Sequence, residues 1–247
     1  LLHRAYGDVA LEVVRANPYL LVNEEFRVEF SQADGLALAL GVGHEDPLRL
    51  EAGLLFEMAH NNLNNGHTFL PRRKLVEATG VLLEVPCQML EDCLTTLLDR
   101  GEAELERIAG QEAVYLPALH DAEAFIAQRL GEMSASRLLP PDGLDRLIDR
   151  IQREQRITYA PQQRQAVELA AERQVMLLTG GPGTGKTTCL RGVLDLFDRM
   201  GLETALAAPT GRAAKRLGEL CGTEASTIHR LLETGFDPHS GRLVFAH

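Results

Sequence analysis

The sequence predicts an α/β fold with a parallel sheet in its second half, preceded by a mainly helical region. Three observations predict it. Val175 to Thr179 form a short apolar run that turns glycine-rich through Gly180, Gly181, Gly183 and Gly185. It then passes into a helical pattern in which Leu190, Val193, Leu194 and Phe197 recur at spacings of three and four. A second apolar run, Thr204–Ala208, passes in the same way into PTGRAAKRLGEL. Strand then helix, twice over, implies a parallel sheet with helices on both faces. Before residue 134 the spacing is mostly helical, interrupted by one short hairpin pattern.

Size and composition set limits. At 247 residues there is room for two cores, and no apolar run reaches the roughly 20 residues of a membrane helix. The chain opens at Leu1 with no signal peptide, so an internal piece of a longer cytoplasmic polypeptide, acting as a monomer, is expected. Cys87, Cys93, Cys189 and Cys221 form no C-x-x-C pair, and reduced, buried thiols are expected. The net charge of −10 is uneven: residues 1–133 carry 10 Lys+Arg against 22 Asp+Glu, residues 134–247 carry 15 against 13. That balance excludes a broad nucleic-acid surface on the first half.

Taken in order, residues 1–45 read as short helices around a turn at 24–30, a helical hairpin. Asn17-Pro18 is a helix start, and Ser31 with Asp34 reads as a capping pair before Leu36, Leu38 and Leu40. Gly41 and Gly43 end that helix. Residues 46–133 begin with a helix opened by Asp46-Pro47, with Leu50, Leu54, Leu55 and Met58 on one face and Asn65-Gly66 at its end. His60 and His67 flank the asparagine-rich turn without a zinc spacing. Pro71 and Pro86 each precede a further helix; 103–108 and 113–117 read as two strands, and Ala122–Leu130 as a helix. Helix, helix, hairpin is a winged-helix-like order. The acidic residues Glu91, Asp92, Glu102, Glu104 and Glu106 favour a role other than DNA binding for it. Residues 134–158 read as a linker with a short arginine-rich amphipathic helix, and 159–247 as the parallel-sheet domain.

The glycine-rich stretch GGPGTGKTT is a P-loop by its residue types. Glycines let the backbone curl so that the N–H groups of Gly181, Gly183, Thr184 and Gly185 face inward around Pro182, and a helix starting near Lys186 adds the positive end of its dipole. Lys186 suits the β- and γ-phosphates of a nucleoside triphosphate, and the Thr187 hydroxyl suits Mg²⁺; Thr188 completes the loop. In the second strand–helix unit, Pro209 ends the strand, Thr210-Gly211 open a helix, and Arg212, Lys215 and Arg216 make that helix basic. The position is one at which such sheets bind ligands, and a phosphate backbone fits it.

Together GGPGTGKTT, AAPTGRAAKRL and STIHRLL resemble the RecD-like DNA helicases, the 5′-to-3′ branch (1B) of helicase superfamily 1. The run ADGLALALGVGHEDPLRLEAGLLFEMAHNNLNNGHTFLP resembles the helix-hairpin-helix region ahead of the motor in the stand-alone bacterial members. The resemblance implies an incomplete RecA-like motor domain at 159–247. It implies ATP and Mg²⁺ as cofactors, with Gln163 as the residue that reads adenine and Gln162 as the alternative register. It implies single-stranded and 5′-tailed duplex DNA as partners, gripped by the 209–216 motif and by Thr227 and His229, with Ile228, Leu231 and Leu232 packing inward. The implied activity is ATP-driven 5′-to-3′ translocation in DNA repair or recombination, expected of the full-length protein. A conjugative relaxase-helicase and a nucleotide-switched scaffold are the alternatives. One departure stands out: relatives carry a Gly-hydrophobic-Gly hairpin where this chain reads Arg27-Val28-Glu29, so a structural role is expected for that hairpin.

Overall fold

A computed structural model describes residues 1–23, 26 and 28–233, together with the strand backbones at 235–236 and 243–244. Arg27, in the hairpin position singled out above, lies outside the described residues, as do Glu24 and Glu25 of the expected turn. The chain divides into two compact units, Leu1–Ile126 and Ala127–His247. No described helix is long and apolar enough to cross a membrane.

The first unit is built on helices α1 (Leu2–Tyr6), α2 (Ala10–Ala16), α3 (Phe30–Ala39), α4 (Pro47–Asn65), α5 (Arg72–Leu83) and α6 (Cys87–Asp99). Local chemistry sets their ends. The Asn17 side chain accepts from the Tyr19 N–H at 3.0 Å and starts a 3-10 turn at Pro18. The Asp46 carboxylate accepts from the Leu48 N–H at 2.9 Å, and Pro47 at the first position of α4 lacks a donor to leave unpaired. Gly66, in the left-handed conformation at φ 69°, closes α4. Leu50, Leu54, Leu75, Leu90, Leu94, Leu97 and Val114 fill the core with essentially no exposure. Each buried leucine contributes about 1.5–3 kcal/mol of hydrophobic stabilisation. Three strands lie against the helices: β1 (Phe69–Pro71), β2 (Glu104–Ile108) and β3 (Gln111–Tyr115), in the order β1-β3-β2 and antiparallel throughout. The asparagines at the end of α4 bond locally: Asn61 Nδ2 donates to the Glu57 carbonyl, Asn62 Nδ2 to the His67 carbonyl, and Asn64 Nδ2 to the His60 carbonyl.

The Ser31–Asp34 capping pair does not form. Helix α3 starts at Phe30 with Glu29 as its flanking residue and no side-chain cap, so Ser31 lies inside the first turn. Asp34 instead accepts from the Tyr19 hydroxyl at 2.7 Å and from Arg49 Nε and Nη2 at 2.8 and 2.9 Å. A buried arginine is a stronger partner for a carboxylate than a backbone amide one turn away.

The long helix α7 (Pro117–Ala135) contains the division between the units. The second unit holds α8 (Leu144–Gln155), α9 (Pro161–Glu172), α10 (Lys186–Arg199), β4 (Leu206–Ala208), α11 (Gly211–Cys221), β5 (Ala225–Thr227) and the single turn α12 (Ile228–Leu231), then β6 (Gly235–Phe236) and β7 (Leu243–Val244). Its core joins Ile148 and Ile151 of α8, Tyr159, Val167 and Ala171, and Val193 and Leu196 of α10. Strands β4 and β5 pair in parallel, Leu206 with Ala225 through Ala208 with Thr227; β6 and β7 pair antiparallel.

One expectation changes here. Val175–Thr179 is not a strand: the segment has no ladder partner among the described residues, and Leu177 is 90% exposed. A strand exists by its neighbours' hydrogen bonds, and β4 pairs with β5 rather than with this run. The fully buried stripe of α10 is Cys189, Gly192, Val193 and Leu196; of the expected Leu190, Val193, Leu194 and Phe197, Val193 is buried and the other three are half-buried, Phe197 packing against the core. Gly192 is the buried position that the apolar spacing did not mark. A methyl group there would collide with the Tyr159 hydroxyl, so the helix presents its smallest residue to the ring.

Candidate nucleotide and nucleic-acid site

The glycine-rich loop opens α10 with no side-chain cap. Gly185, at φ 83° in the left-handed region, is the flanking residue, and Lys186 is the first helical one. Gly183 also has positive φ, 75°, so two of the loop's four glycines sit where the backbone favours glycine. The first-turn N–H groups of α10 therefore carry the helix dipole's positive end with no protein side chain on them, an environment that favours an anion. Lys186 folds back over the loop, its Nζ donating to the Gly180 and Gly181 carbonyls at 2.6 and 2.7 Å. Thr184 Oγ1 donates to the Gly181 carbonyl at 2.9 Å, pinning the turn from within. Pro182 is exposed at the tip of the turn, and Thr187 and Thr188 are half-buried in the first turn of α10. The ammonium and uncapped amides fit a polyphosphate, and the Thr187 hydroxyl is an oxygen donor of the kind Mg²⁺ takes.

Gln163 joins this loop to α9. Its Oε1 accepts from the Ala160 N–H at 3.0 Å, capping α9, and its Nε2 donates to the Thr184 carbonyl at 3.1 Å. Gly185 lies against the same amide, and a Cβ there would overlap Gln163 Nε2. Both hydrogen-bonding ends of Gln163 are thus engaged by the protein. Sequence reasoning found the residue and missed the tether, because Thr184 is 21 positions away. Gln162 is exposed.

The second group of residues gathers where β4 and β5 end. Ala208 and Thr227 are register partners, so the two parallel strands finish side by side. Each ends in a threonine-capped helix: Thr210 Oγ1 accepts from the Ala213 N–H at 3.3 Å, and Thr227 Oγ1 accepts from the Arg230 N–H at 3.2 Å. Pro209 separates β4 from the cap, and Gly211 begins α11. Arg212, Lys215 and Arg216 are exposed on α11, and His229 is exposed on α12. None of the four has an ion-pair partner among the described residues. Helix α11 packs on α10, so the loop-bearing helix and the basic helix are neighbours. The inward packing expected after β5 is not found. Ile228 and Leu231 are 42% and 43% exposed on the single turn α12, and Leu232 is half-buried.

The thiols are all free: Cys93 and Cys189 are buried, while Cys87 is exposed. Burial raises the Cys93 and Cys189 thiols above the usual range, away from thiolate reactivity.

Comparison with known proteins fits this architecture. Residues 1–69 match the model of the ATP-dependent RecD2 DNA helicase HHH domain, and residues 163–243 match an AAA domain model. An AAA domain is a P-loop nucleotide-binding domain. The ATP-dependent RecD2 DNA helicase of Deinococcus radiodurans is 32% identical over 246 residues, 96% of this chain and 34% of the relative. The RecBCD enzyme subunit RecD of Mycobacterium tuberculosis is 31% identical over 180 residues, 64% of this chain and 27% of the relative. The ATP-dependent DNA helicase dda of Enterobacteria phage T4 is 46% identical over 57 residues, 23% of this chain and 13% of the relative. The chain thus spans about a third of the length of its RecD2 relative. With its RecD2-type amino-terminal match, its P-loop domain match and similarity along nearly its whole length, the chain is similar to the RecD-like proteins.

Proposed function

We propose that the polypeptide carrying this chain is an ATP-dependent DNA helicase that translocates 5′ to 3′ on single-stranded DNA, in repair or recombination. The observation that carries this reading is the junction of two sites in one unit. An uncapped P-loop helix, α10, packs beside a basic helix, α11, that opens from the end of a parallel strand. A nucleotide bound at the first is then mechanically adjacent to a strand bound at the second. The relatives named as DNA helicases support the same reading.

In this reading Lys186 exchanges its two loop carbonyls for the β- and γ-phosphates. Gly181, Pro182, Gly183, Thr184, Gly185 and Thr188 shape the cradle, and Thr187 holds Mg²⁺. Gln163, already tethered to the loop, lies where a base contact would be read alongside it. When bound, Mg·ATP supplies the phosphoanhydride whose cleavage drives the cycle. Pro209, Thr210, Gly211, Arg212, Lys215, Arg216, Thr227 and His229 meet the DNA backbone, positioning it without reading sequence. Residues 1–45 form the helix-hairpin-helix region, 134–158 the connection and 159–247 the motor part. Residues 46–133 form a winged-helix-like region, a reading supported by the order α4-β1-α5-α6-β2-β3 and the β1-β3-β2 sheet. We place the protein in the cytoplasm, as a monomer.

The test uses the intact polypeptide: ATP turnover with and without single-stranded DNA, then unwinding of duplexes carrying a 5′ or a 3′ tail. Turnover should rise with DNA and unwinding should require the 5′ tail. Lys186→Ala should abolish turnover and leave DNA binding in place. Turnover indifferent to DNA would favour a nucleotide-switched scaffold; a 3′-tail requirement would overturn the polarity.

A further inference from the structure

The connection between the two regions carries a charged surface that the roles assigned above do not use. Helix α8 buries Ile148 and Ile151 completely and half-buries Leu144 and Gln155, which together define one face. Its carboxylates flank that face and are all engaged across helices. Asp145 and Asp149 pair with Arg164 of α9 at 2.9 and 2.7 Å, and Glu154 pairs with Arg199 of α10. What remains, opposite the buried face, is Arg146, Arg150 and Arg153, at spacings of four and three. All three are exposed, and none has a carboxylate within ion-pairing distance among the described residues. Among the described residues this face makes a backbone contact, Arg153 Nε donating to the Asp149 carbonyl at 3.2 Å.

An ordinary solvated helix face mixes signs at these spacings, since like charges three or four apart repel. Here the acids, still solvent-exposed, reach across to Arg164 and Arg199, and the outer face is left cationic in a protein of net charge −10. Arg146 and Arg153 are about 10 Å apart along the axis, enough to meet successive anionic groups rather than one. Guanidinium groups bind phosphate bidentately and keep their charge at any working pH. Arg156 extends the same cationic run just past the end of the helix, also exposed.

We propose that the Arg146–Arg150–Arg153 face of α8 is a second DNA contact, binding the phosphate backbone at a place separate from α11. The proposal rests on the reading of the protein as DNA-acting, and contacts made to the phosphate backbone carry no sequence information. Because α8 shares its core with α9 and α10, strand bound there is held by the same helices that carry the P-loop. Bound strand would then bear on the nucleotide site from two sides.

The test measures binding of the intact polypeptide to a fluorescent single-stranded oligonucleotide by anisotropy, from about 50 to about 200 mM salt. R146Q/R150Q/R153Q is expected to weaken binding about tenfold or more at the lowest salt and to reduce the slope of log K against log salt by about 2, at about 0.7 per phosphate contact. R146K/R150K/R153K should recover most of the slope. If the glutamine variant melts early, each single substitution should still lower the slope by about 0.7. An unchanged slope in the glutamine variants, with R212Q/R216Q lowering it, overturns this contact and leaves α11 as the DNA site. If the wild type binds no DNA at any salt, the DNA-acting reading falls and this contact with it.

Discussion

Both ends of the Gln163 amide are occupied within the protein, one by the cap of α9 and one by the Thr184 carbonyl. The side chain therefore shapes the phosphate loop whether or not it touches a base. Gln163→Glu separates the two bonds, keeping the acceptor for Ala160 while losing the donor to Thr184. Affinity for inorganic tripolyphosphate, measured by calorimetry, should fall about 3- to 10-fold, up to about 1.4 kcal/mol. Any further loss seen with ATP alone measures the base contact; unchanged tripolyphosphate affinity would sink the tether. Asp34 gives the matching case in the first unit. Burial pushes its carboxyl up, but hydrogen bonds from Arg49 and Tyr19 outweigh that and hold it below the usual range. A depressed folded value means its stabilisation is complete above about pH 4 and is lost as the pH falls through the folded value. Arg49→Ala should cost about 3–5 kcal/mol at neutral pH, because it strands a buried carboxylate. Asp34→Asn should flatten the acid limb of a urea-midpoint profile; an unaltered limb would remove Asp34 from the account. Sequence spacing suggested a local cap for Asp34. Its real partners, 15 residues away on each side, are tertiary and carry no periodic signal.

At the scale of elements, local chemistry was the reliable guide. The Asp46-Pro47 start, the Gly66 stop, the Thr210 cap and the β2–β3 hairpin are all decided within a few residues, and the sequence shows them. What depended on neighbours came out differently. The run 175–179 has a strand's composition and no ladder among the described residues, and α10 buries Gly192 against Tyr159 beside the expected Val193. The Tyr159 hydroxyl is buried without a hydrogen-bond partner among the described residues, and the ring packs in the core of the unit. Gly192→Ala adds a methyl group into that contact. It should destabilise the unit by about 1–3 kcal/mol through overpacking, despite alanine's better helix propensity. A lower urea midpoint with an unchanged slope is the expected signature. A midpoint at or above the wild-type value would mean that Tyr159 is free to move aside.

Across the whole molecule the charge is sorted by region, with acids concentrated before residue 134 and bases after it. That asymmetry was legible from composition alone; which basic residues stand unpaired was not, since it depends on how α8, α9 and α10 exchange carboxylates. The same sorting has a consequence for the first region. Asp92, Asp99 and Glu106 are exposed on α6 and the hairpin, and such a surface repels a phosphate backbone. The repulsion is long-ranged only at low ionic strength, with a screening length of about 10 Å at 0.1 M salt and about 3 Å at 1 M. D92N/D99N/E106Q should therefore raise the affinity for single-stranded DNA a few-fold at low salt, and the gain should fade as salt is raised. Equal affinities of variant and wild type at the lowest salt would show that this surface has no part in steering DNA toward the basic helices. A gain that persisted at high salt would point instead to a direct contact, and would make the winged-helix-like region a DNA-binding element in its own right.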